Sequence, residues 1–265
     1  MIELQQNDIH FWYTQPHHCY DPVLLDSLKR LLTNEEIQRQ QRYLFDKDKH
    51  DALITRAFIR DLLSRYVDKP STDWRFSKGE KGKPEIINPE IPIRFNISHT
   101  KNLIICAITL EKDIGCDVEN VNRRNDILAI SDRFFSKSEV DSMFLLPKSE
   151  QRDRFFDLWT LKESYIKAWG QGLSIPLNEF SFHIGKNQNH LINTDIHLSF
   201  DNKRNDNPKH WACWLFYPNK EHRVAVSIRN DSLQEGHINV TDFNLKYFKS
   251  VPLVSYEEIQ GGFII

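Results

Sequence analysis

The chain has 265 residues, of which 40% are hydrophobic and 27% are charged, and its formal net charge is −2. This length and composition are typical of a globular protein with one large domain or two domains of ordinary size. The near-neutral charge argues against binding along a nucleic-acid backbone, which requires a strongly basic surface. An anionic ligand would therefore be held by a local group of basic residues.

The sequence also indicates the cellular compartment of the protein and the state of its cysteines. It contains no run of the roughly 18–20 apolar residues that a membrane helix needs, and its first ten residues lack the basic and apolar order of a signal peptide. The four cysteines show no CxxC spacing, which argues against a zinc or dithiol site. Cys106 and Cys116 lie in apolar runs and are expected to be buried free thiols. We expect a cytoplasmic monomer, or at most a weak oligomer, without a membrane or nucleic-acid partner.

The first part of the chain predicts three helices. One is expected over residues 22–32. Thr33 and Glu36 form a capping-box pattern for a second helix near 34–44. Asp48 is expected to cap a third, long helix. A segment rich in Gly and Lys and two strands around the turn HTKN then follow.

The second part of the chain repeats this order of elements. A long helix, FFDLWTLKESYIKAWG, is followed by the loop and strand GLSIPLNEFSFHI and by a hairpin that turns at PNKEH. The repeat predicts an α+β fold of two similar α/β halves, residues 1–113 and 114–230, related by a pseudo-two-fold axis. Residues 231–265 are expected to pack back on the body, because a free tail would not carry so many apolar residues.

The predicted strand at 115–120, GCDVEN, carries two carboxylates. Asp117 and Glu119 are two residues apart, so both leave the same face of the strand. Gly115 permits the close approach of another backbone or of a ligand. Taken alone, the pair is ordinarily a solvated strand end.

The predicted long helix carries a second group of polar residues. Glu163 shares one helix face with Trp159 and with Lys167. Taken alone, Glu163 and Lys167 are ordinarily an exposed ion pair worth about 0.3–0.5 kcal/mol. If the strand and helix groups meet, three carboxylates and one ammonium form a site for a hard divalent cation and a phosphate.

Two further segments carry groups that suit an anion. Ser98 and His99, in FNISH, end an extended segment, and Lys83 lies in the loop GEKGKP. A structural histidine and a plain turn are the ordinary explanations. A serine hydrolase is disfavoured, because the chain has no GxSxG motif and adjacent residues cannot form the catalytic triad.

Together the motifs resemble those of the Sfp-type 4′-phosphopantetheinyl transferases, in family order and over nearly the whole chain. They are GKP (82–84), FNISH (95–99), GxDxE (115–119), RFFSKSE (133–139), LWTLKESYIKAWGQGLS (158–174) and LVSYEE (253–258). The resemblance implies that coenzyme A and Mg²⁺ bind in a cleft between the two halves. It also implies transfer of the phosphopantetheine arm of CoA to a serine of an acyl or peptidyl carrier protein, with release of adenosine 3′,5′-bisphosphate. The pathway it implies is nonribosomal peptide or polyketide biosynthesis.

The resemblance assigns a role to each motif residue. Asp117, Glu119 and Glu163 would bind the metal, and Glu163 would take the serine proton directly or through a water. Lys167 would neutralise or protonate the phosphates. The CoA-binding residues would be Lys83, Ser98, His99, Asp117, Lys162 and Lys167. The alternatives are a CoA- or carrier-binding module without activity and a metal-dependent phosphohydrolase.

The chain departs from the family at the CoA 3′-phosphate. Family members often carry an arginine where this chain has Asp51, and an aspartate cannot bind a phosphate. The contact is therefore either lost or supplied by His50, Arg56 or Arg39.

The carrier surface is expected to be basic and apolar, because carrier proteins present an acidic helix. Arg123, Arg124 and the segment 133–139 are the candidates. Phe134 and Phe135, within that segment, fit the core equally well.

Overall fold

The computed structural model describes residues 1–79, 81–123, 127–186, 189–201, 204–230 and 236–265. Its α-helices are α1 (Pro22–Lys29), α2 (Asn34–Gln41), α3 (Asp46–Leu63), α4 (Ser131–Phe134), α5 (Lys137–Phe144) and α6 (Lys148–Trp169). Its strands are β1 (Asp8–Thr14), β2 (Phe76–Lys78), β3 (Pro84–Ile86), β4 (Ile93–Thr100), β5 (Leu103–Leu110), β6 (Asp113–Asn120), β7 (Phe180–Ile184), β8 (Ile192–Asn193), β9 (Ile196–Phe200), β10 (Trp211–Phe216), β11 (His222–Arg229), β12 (Asn244–Val251) and β13 (Ser255–Ile259). Among these described helices, none has the length and apolar character of a membrane span.

Most of the strands belong to two sheets. The first has the order β13-β12-β1-β5-β4, in which only the β1–β12 pair is parallel. The second is antiparallel, with the order β6-β11-β10-β8. Two small ribbons, β2–β3 and β7–β9, complete the described sheets. The mixed helix-and-sheet class agrees with the prediction from sequence, and the last two strands extend a sheet built otherwise from residues 8–110.

The two sheets are packed face to face, with a long helix outside each. Side chains of β5 alternate between a cluster shared with α3 and a cluster shared with the second sheet. In β6, Ile114, Cys116 and Val118 belong to the cluster between the sheets. The alternate positions of β6, including Asp117 and Glu119, therefore face the other way, toward α6.

Several local predictions are confirmed. The capping box before α2 is present, with Thr33 Oγ1 accepting from the Glu36 amide and Glu36 Oε2 accepting from the Thr33 amide. Both predicted hairpins, β4–β5 and β10–β11, are antiparallel pairs. Helix α6 ends at Gly170, whose φ of 72° lies in the left-handed region that favours glycine. Cys106 and Cys116 are buried free thiols.

Some helix boundaries differ from those predicted. Helix α3 begins at Asp46, after Phe45, so the prediction that Asp48 caps it is wrong: Asp48 lies inside the first turn. There its carboxylate still suits the positive end of the helix dipole. Helix α1 ends at Lys29 and α2 ends at Gln41, each three residues before the predicted end.

Candidate functional site

The site begins with an unusually close contact between β6 and α6. A Cβ added to Gly115 would lie 2.0 Å from the carbonyl oxygen of Ser164 and 2.3 Å from the amide nitrogen of Ala168. Only glycine therefore fits, and the prediction that Gly115 admits another backbone is confirmed. The contact sets the acidic face of β6 against the face of α6 that carries Glu163 and Lys167.

Asp117 is the centre of the polar cluster. Its Oδ1 accepts hydrogen bonds from Lys167 Nζ at 2.6 Å and from Ser98 Oγ at 2.9 Å, and Lys167 Nζ also donates to Ser98 Oγ at 2.8 Å. The residue is 4% exposed. Its second oxygen, Oδ2, is buried without a hydrogen-bond partner among the described residues. Asp117 of the strand group and Lys167 of the helix group thus meet, and Ser98 joins them in a contact that the motifs do not predict.

Ser98 reaches Asp117 because the edge strands of the two sheets lie side by side. Asn96, on β4, accepts a hydrogen bond from the Cys116 amide at 3.0 Å through its side-chain oxygen, and its carbonyl oxygen accepts one from Cys116 Sγ at 3.1 Å. Asn96 carries no distinguishing signal in the sequence beyond its place in FNISH. It nevertheless fixes the spacing of the two strands that form the cluster.

The two glutamates of the site have raised pKa values. Burial, followed by the charge of Asp117, raises the pKa of Glu119 to about 7, although Arg123 lies 2.6 Å away and opposes the shift. The same two causes raise the pKa of Glu163 to about 7. Negative charge is therefore in excess around Asp117, and a further cation would relieve it.

Two cationic or titratable groups flank the carboxylates. Burial alone would lower the pKa of Lys167, but Asp117 raises it above its ordinary value, so the ammonium stays charged. His99 follows Ser98 on β4, within range of the charges of Lys167 and Asp117. Desolvation and the charge of Lys167 lower the pKa of His99, so its imidazole is neutral at pH 7.

The structure places Lys162 away from this cluster. Its side chain has no exposed surface, and its Nζ lies 2.6 Å from the carbonyl oxygens of Leu177 and Phe180 and 2.9 Å from Glu139 Oε2. All three N–H groups are thus used inside the protein. The expectation that Lys162 holds a CoA phosphate is corrected accordingly: it is an internal ion-pair residue.

Lys83 lies at the far end of α6. Its Nζ donates to the carbonyl oxygen of Ala168 at 2.9 Å, and its side chain packs against Gly170. Desolvation lowers the pKa of this ammonium. Its expected position near the CoA adenine or ribose stays a prediction.

Next to the cluster is a cavity of about 1200 Å³. His99 lines it, between Arg39, Lys47 and Arg56 on one side and Asn120 and Arg123 on the other. Among the described residues, seven lysines and arginines line the cavity, against four aspartates and glutamates. Its electrostatic character therefore favours an anion.

Asp51 lines this cavity and forms an ion pair with Lys47. Of the residues that could replace the missing arginine, Arg39 and Arg56 line the cavity too. His50 instead stacks on Tyr20, with ring centroids 4.2 Å apart, and is not among the described residues of the cavity wall.

The carrier-surface candidates have different environments. Phe135 is 2% exposed and belongs to the core, whereas Phe134 is half-buried against Trp159. Arg123 is half exposed in its ion pair with Glu119. Arg124 lies outside the described residues.

Comparisons with known proteins address the same regions. A family model described as the 4′-phosphopantetheinyl transferase superfamily matches residues 113–227, and one described as the N-terminal part of a 4′-phosphopantetheinyl transferase matches residues 22–111. The chain is 38% identical over 154 residues to the 4′-phosphopantetheinyl transferase Sfp of Bacillus subtilis (strain 168). That match covers 58% of this chain and 66% of the relative, or about two thirds of its length.

A second relative matches over a longer segment. A 4′-phosphopantetheinyl transferase of Bacillus subtilis is 34% identical over 214 residues, which cover 80% of this chain and 88% of that protein. A holo-(acyl-carrier-protein) synthase from Bacillus anthracis str. Ames, solved in complex with CoA, covers 44% of this chain and 94% of its own, at 19% identity and a TM-score of 0.36. A TM-score this low supports no structural argument. From the motifs and the relatives, the chain belongs to the Sfp-type 4′-phosphopantetheinyl transferase family.

Proposed function

We infer that this protein transfers the 4′-phosphopantetheine group of coenzyme A to a serine of an apo acyl or peptidyl carrier protein and releases adenosine 3′,5′-bisphosphate. Family membership supports the reaction. The observation that carries it for this chain is the cluster of Asp117, Glu119, Glu163 and Lys167 beside a cavity with an excess of basic residues.

The donor set is suited to Mg²⁺. Within the described residues, no three histidine, cysteine, aspartate or glutamate side chains already have the arrangement of a metal site. However, Asp117 Oδ2 is a buried oxygen without a partner among the described residues, and Glu119 and Glu163 supply only oxygen ligands, which Mg²⁺ prefers. We propose that these three residues hold the ion. Bound there, Mg²⁺ would supply positive charge to a pyrophosphate.

Two residues of the protein would accept the proton of the carrier serine and balance the charge of the leaving bisphosphate. In the transfer, the carrier serine oxygen forms a bond to the phosphorus of the phosphopantetheine arm, and the pyrophosphate P–O bond breaks. The serine proton passes to Glu163, directly or through a water, because a carboxylate placed beside the reacting phosphate can act as a general base. Lys167, held charged by Asp117, offsets negative charge on the departing bisphosphate.

CoA is assigned to the cavity. Its phosphates would meet His99 and the basic wall formed by Arg39, Lys47 and Arg56. Because Asp51 is paired with Lys47, its charge is partly offset, and Arg39 and Arg56 are the residues we propose for the 3′-phosphate.

The remaining architectural features belong to the same proposal. A strand pair and a long helix occur in each half, as β4–β5 with α3 and as β10–β11 with α6, which supports two related halves with a ligand cleft between them. The cavity lined from both parts is the candidate for that cleft. A monomer in the cytoplasm, acting in peptide or polyketide synthesis, stays a prediction.

One assay tests the reaction. The protein is incubated with CoA, Mg²⁺ and an apo carrier domain, and the carrier is weighed by mass spectrometry. A gain of one phosphopantetheine is expected. An unchanged carrier together with a CoA-dependent rise in melting temperature would indicate a binding module, and breakdown of CoA without a carrier would indicate a hydrolase.

A further inference from the structure

The two carboxylate oxygens of Asp117 have different environments. Oδ1 accepts two hydrogen bonds, from Ser98 Oγ and Lys167 Nζ, whereas Oδ2 is buried with no partner among the described residues. A buried carboxylate oxygen left unpartnered costs the protein free energy. The residue is therefore held with one oxygen satisfied and the other without a partner among the described residues.

Ser98 and Lys167 together satisfy Oδ1, and Ser98 supplies its second hydrogen bond. A serine hydroxyl has one hydrogen to donate. Because Ser98 accepts a hydrogen bond from Lys167 at 2.8 Å, that hydrogen is directed to Asp117 Oδ1 at 2.9 Å. Ser98 is 6% exposed and lies on a strand that is joined to β6 through Asn96, so the hydroxyl is rigidly placed. The three residues are thus mutually hydrogen-bonded, and Asp117 Oδ1 accepts from both Ser98 and Lys167.

We propose that Ser98 is a positioning residue that restricts Asp117 to one metal-facing oxygen, Oδ2, and thereby makes the site favour Mg²⁺ over Ca²⁺. This inference rests on the metal site of the proposed function, and it gives Ser98 a role toward Asp117 that a phosphate contact does not include. Mg²⁺ requires octahedral coordination at short distances, in which each carboxylate binds through one oxygen. Ca²⁺ accepts more ligands at longer distances, and a carboxylate can bind it through both oxygens. Oδ1 already accepts two hydrogen bonds, which use both of its acceptor sites, so the carboxylate cannot bind a metal through both oxygens; without Ser98, one of those two sites becomes free.

The test measures metal selectivity as well as activity. Mn²⁺ binding to the full chain in the presence of CoA is followed by electron paramagnetic resonance, and Mg²⁺ and Ca²⁺ are titrated in competition. Ser98→Ala is expected to weaken Mg²⁺ binding about ten-fold, since loss of a residue that orients a metal ligand typically costs 10–100-fold in affinity. Ca²⁺ binding should not weaken, because the freed oxygen lets the carboxylate bind that ion through both oxygens, so the Mg²⁺-to-Ca²⁺ ratio should fall by about the same factor. Ser98→Thr, which keeps the hydroxyl, is expected to restore the wild-type ratio.

A matched control separates this effect from loss of a buried hydroxyl in general. Ser227 is buried on β11, where its Oγ lies 2.7 Å from Ser164 Oγ and does not contact Asp117. Ser227→Ala should leave the Mg²⁺-to-Ca²⁺ ratio unchanged. An unchanged ratio in Ser98→Ala, with normal Mn²⁺ binding to the wild type, would overturn the role of Ser98 alone. Failure of the wild type to bind Mn²⁺ would overturn both the metal site and this role, while carrier modification in the mass assay would still support the transferase.

Discussion

Two lysines five residues apart on α6 have opposite environments. Lys162 is fully buried and pairs with Glu139, while Lys167 is partly exposed and pairs with Asp117. Five residues turn a helix by about 140° beyond a full turn, so the two side chains leave on different sides. Lys162 is therefore buried in the core against α6, and Lys167 is part of the candidate site.

Removal of Lys162 should therefore affect stability. Lys162→Met leaves Glu139 buried without its cation, and breaking one side of a buried pair costs about 3–5 kcal/mol. Urea unfolding measures the loss, and adding Glu139→Gln should recover part of it. Lys137→Met is the control, because the Lys137–Asp141 pair is exposed and worth at most about 1 kcal/mol. Equal losses in Lys162→Met and Lys137→Met would contradict the internal role of Lys162.

Glu163 is expected to matter for turnover and little for folding. Glu163→Gln keeps the shape of the side chain but cannot take a proton, and loss of a general base typically lowers the rate about 10²–10⁴-fold. Carrier modification is followed by mass spectrometry, and circular dichroism checks the fold. Glu150→Gln, an exposed change in the first turn of the same helix, should turn over normally. Near-normal turnover in Glu163→Gln would remove Glu163 from both its base and metal roles.

At the scale of elements, the site depends on how closely β6 lies against α6. Gly115 sets this distance, because its missing side chain leaves room for the Ser164 carbonyl. Asp117 and Glu119 lie two and four residues after Gly115, so their side chains leave the same face of β6, toward Glu163 and Lys167. Pushing the helix away would open the cluster.

Gly115→Ala should therefore reduce stability and metal binding together. A methyl group 2.0 Å from a backbone oxygen forces the strand or helix to move, and overpacking of this kind costs about 1–3 kcal/mol or more. Thermal unfolding and Mn²⁺ titration measure the two effects. Gly79→Ala is the control, since its nearest described atoms lie at 3.5 Å or more from the added Cβ. A fully stable Gly115→Ala protein would show that β6 and α6 leave room for a methyl group at this position.

Periodicity predicted the local features of this site but not its tertiary pairs. The shared faces of Asp117 with Glu119 and of Glu163 with Lys167 follow from spacing. The close approach that Gly115 permits follows from its missing side chain. The contact of Ser98 with Asp117 joins two sheets, and no periodicity contains that distance. The resemblance implies a phosphate contact for Lys162, and the structure differs because a motif does not show which of its lysines faces the core.

Helix ends show a similar limit. Phe45, Asp46 and Asp48 all precede the apolar stretch of α3, and the choice of first residue depends on how the preceding loop packs. The start of α2 is unambiguous in comparison, because Thr33 and Glu36 each accept a hydrogen bond from the backbone amide of the other. The sequence therefore predicts a helix end reliably where both partners of the capping interaction are close in the chain.

For the whole molecule, the parallel pair β1–β12 joins the two ends of the chain. His10 on β1 lies at this junction: its Nδ1 is 2.9 Å from the hydroxyl of Tyr66, just beyond α3, and its ring packs on Phe248 of β12. It has no exposed surface, and Asp8 and Lys246 are the charged groups that act on it. Stability of the closed molecule is therefore coupled to the charge of one imidazole.

This coupling predicts how stability depends on pH. Burial lowers the pKa of His10 from 6.5 to about 4, with Lys246 acting in the same sense and Asp8 opposing it. Between these values the unfolded chain binds a proton at His10 and the folded chain does not, so folding is favoured as pH rises. The stabilisation is complete above pH 6.5 and is lost as pH falls toward 4, by up to about 3 kcal/mol.

The measurement is urea unfolding of the wild type and of His10→Phe at pH 7 and pH 4.5. Phenylalanine keeps the ring contacts with Tyr66 and Phe248 but does not titrate, so the variant should lose less stability between the two pH values. His197→Phe, which removes an exposed histidine, controls for general effects of losing an imidazole. Asp8 partly opposes the lowering of the His10 pKa by burial. The pH dependence of Asp8→Asn is therefore compared with that of the Asp8→Asn, His10→Phe double variant, and the difference between them should exceed the difference between wild type and His10→Phe. Parallel pH profiles of wild type and His10→Phe would contradict the coupling, since the loss below pH 6.5 would then come from other groups.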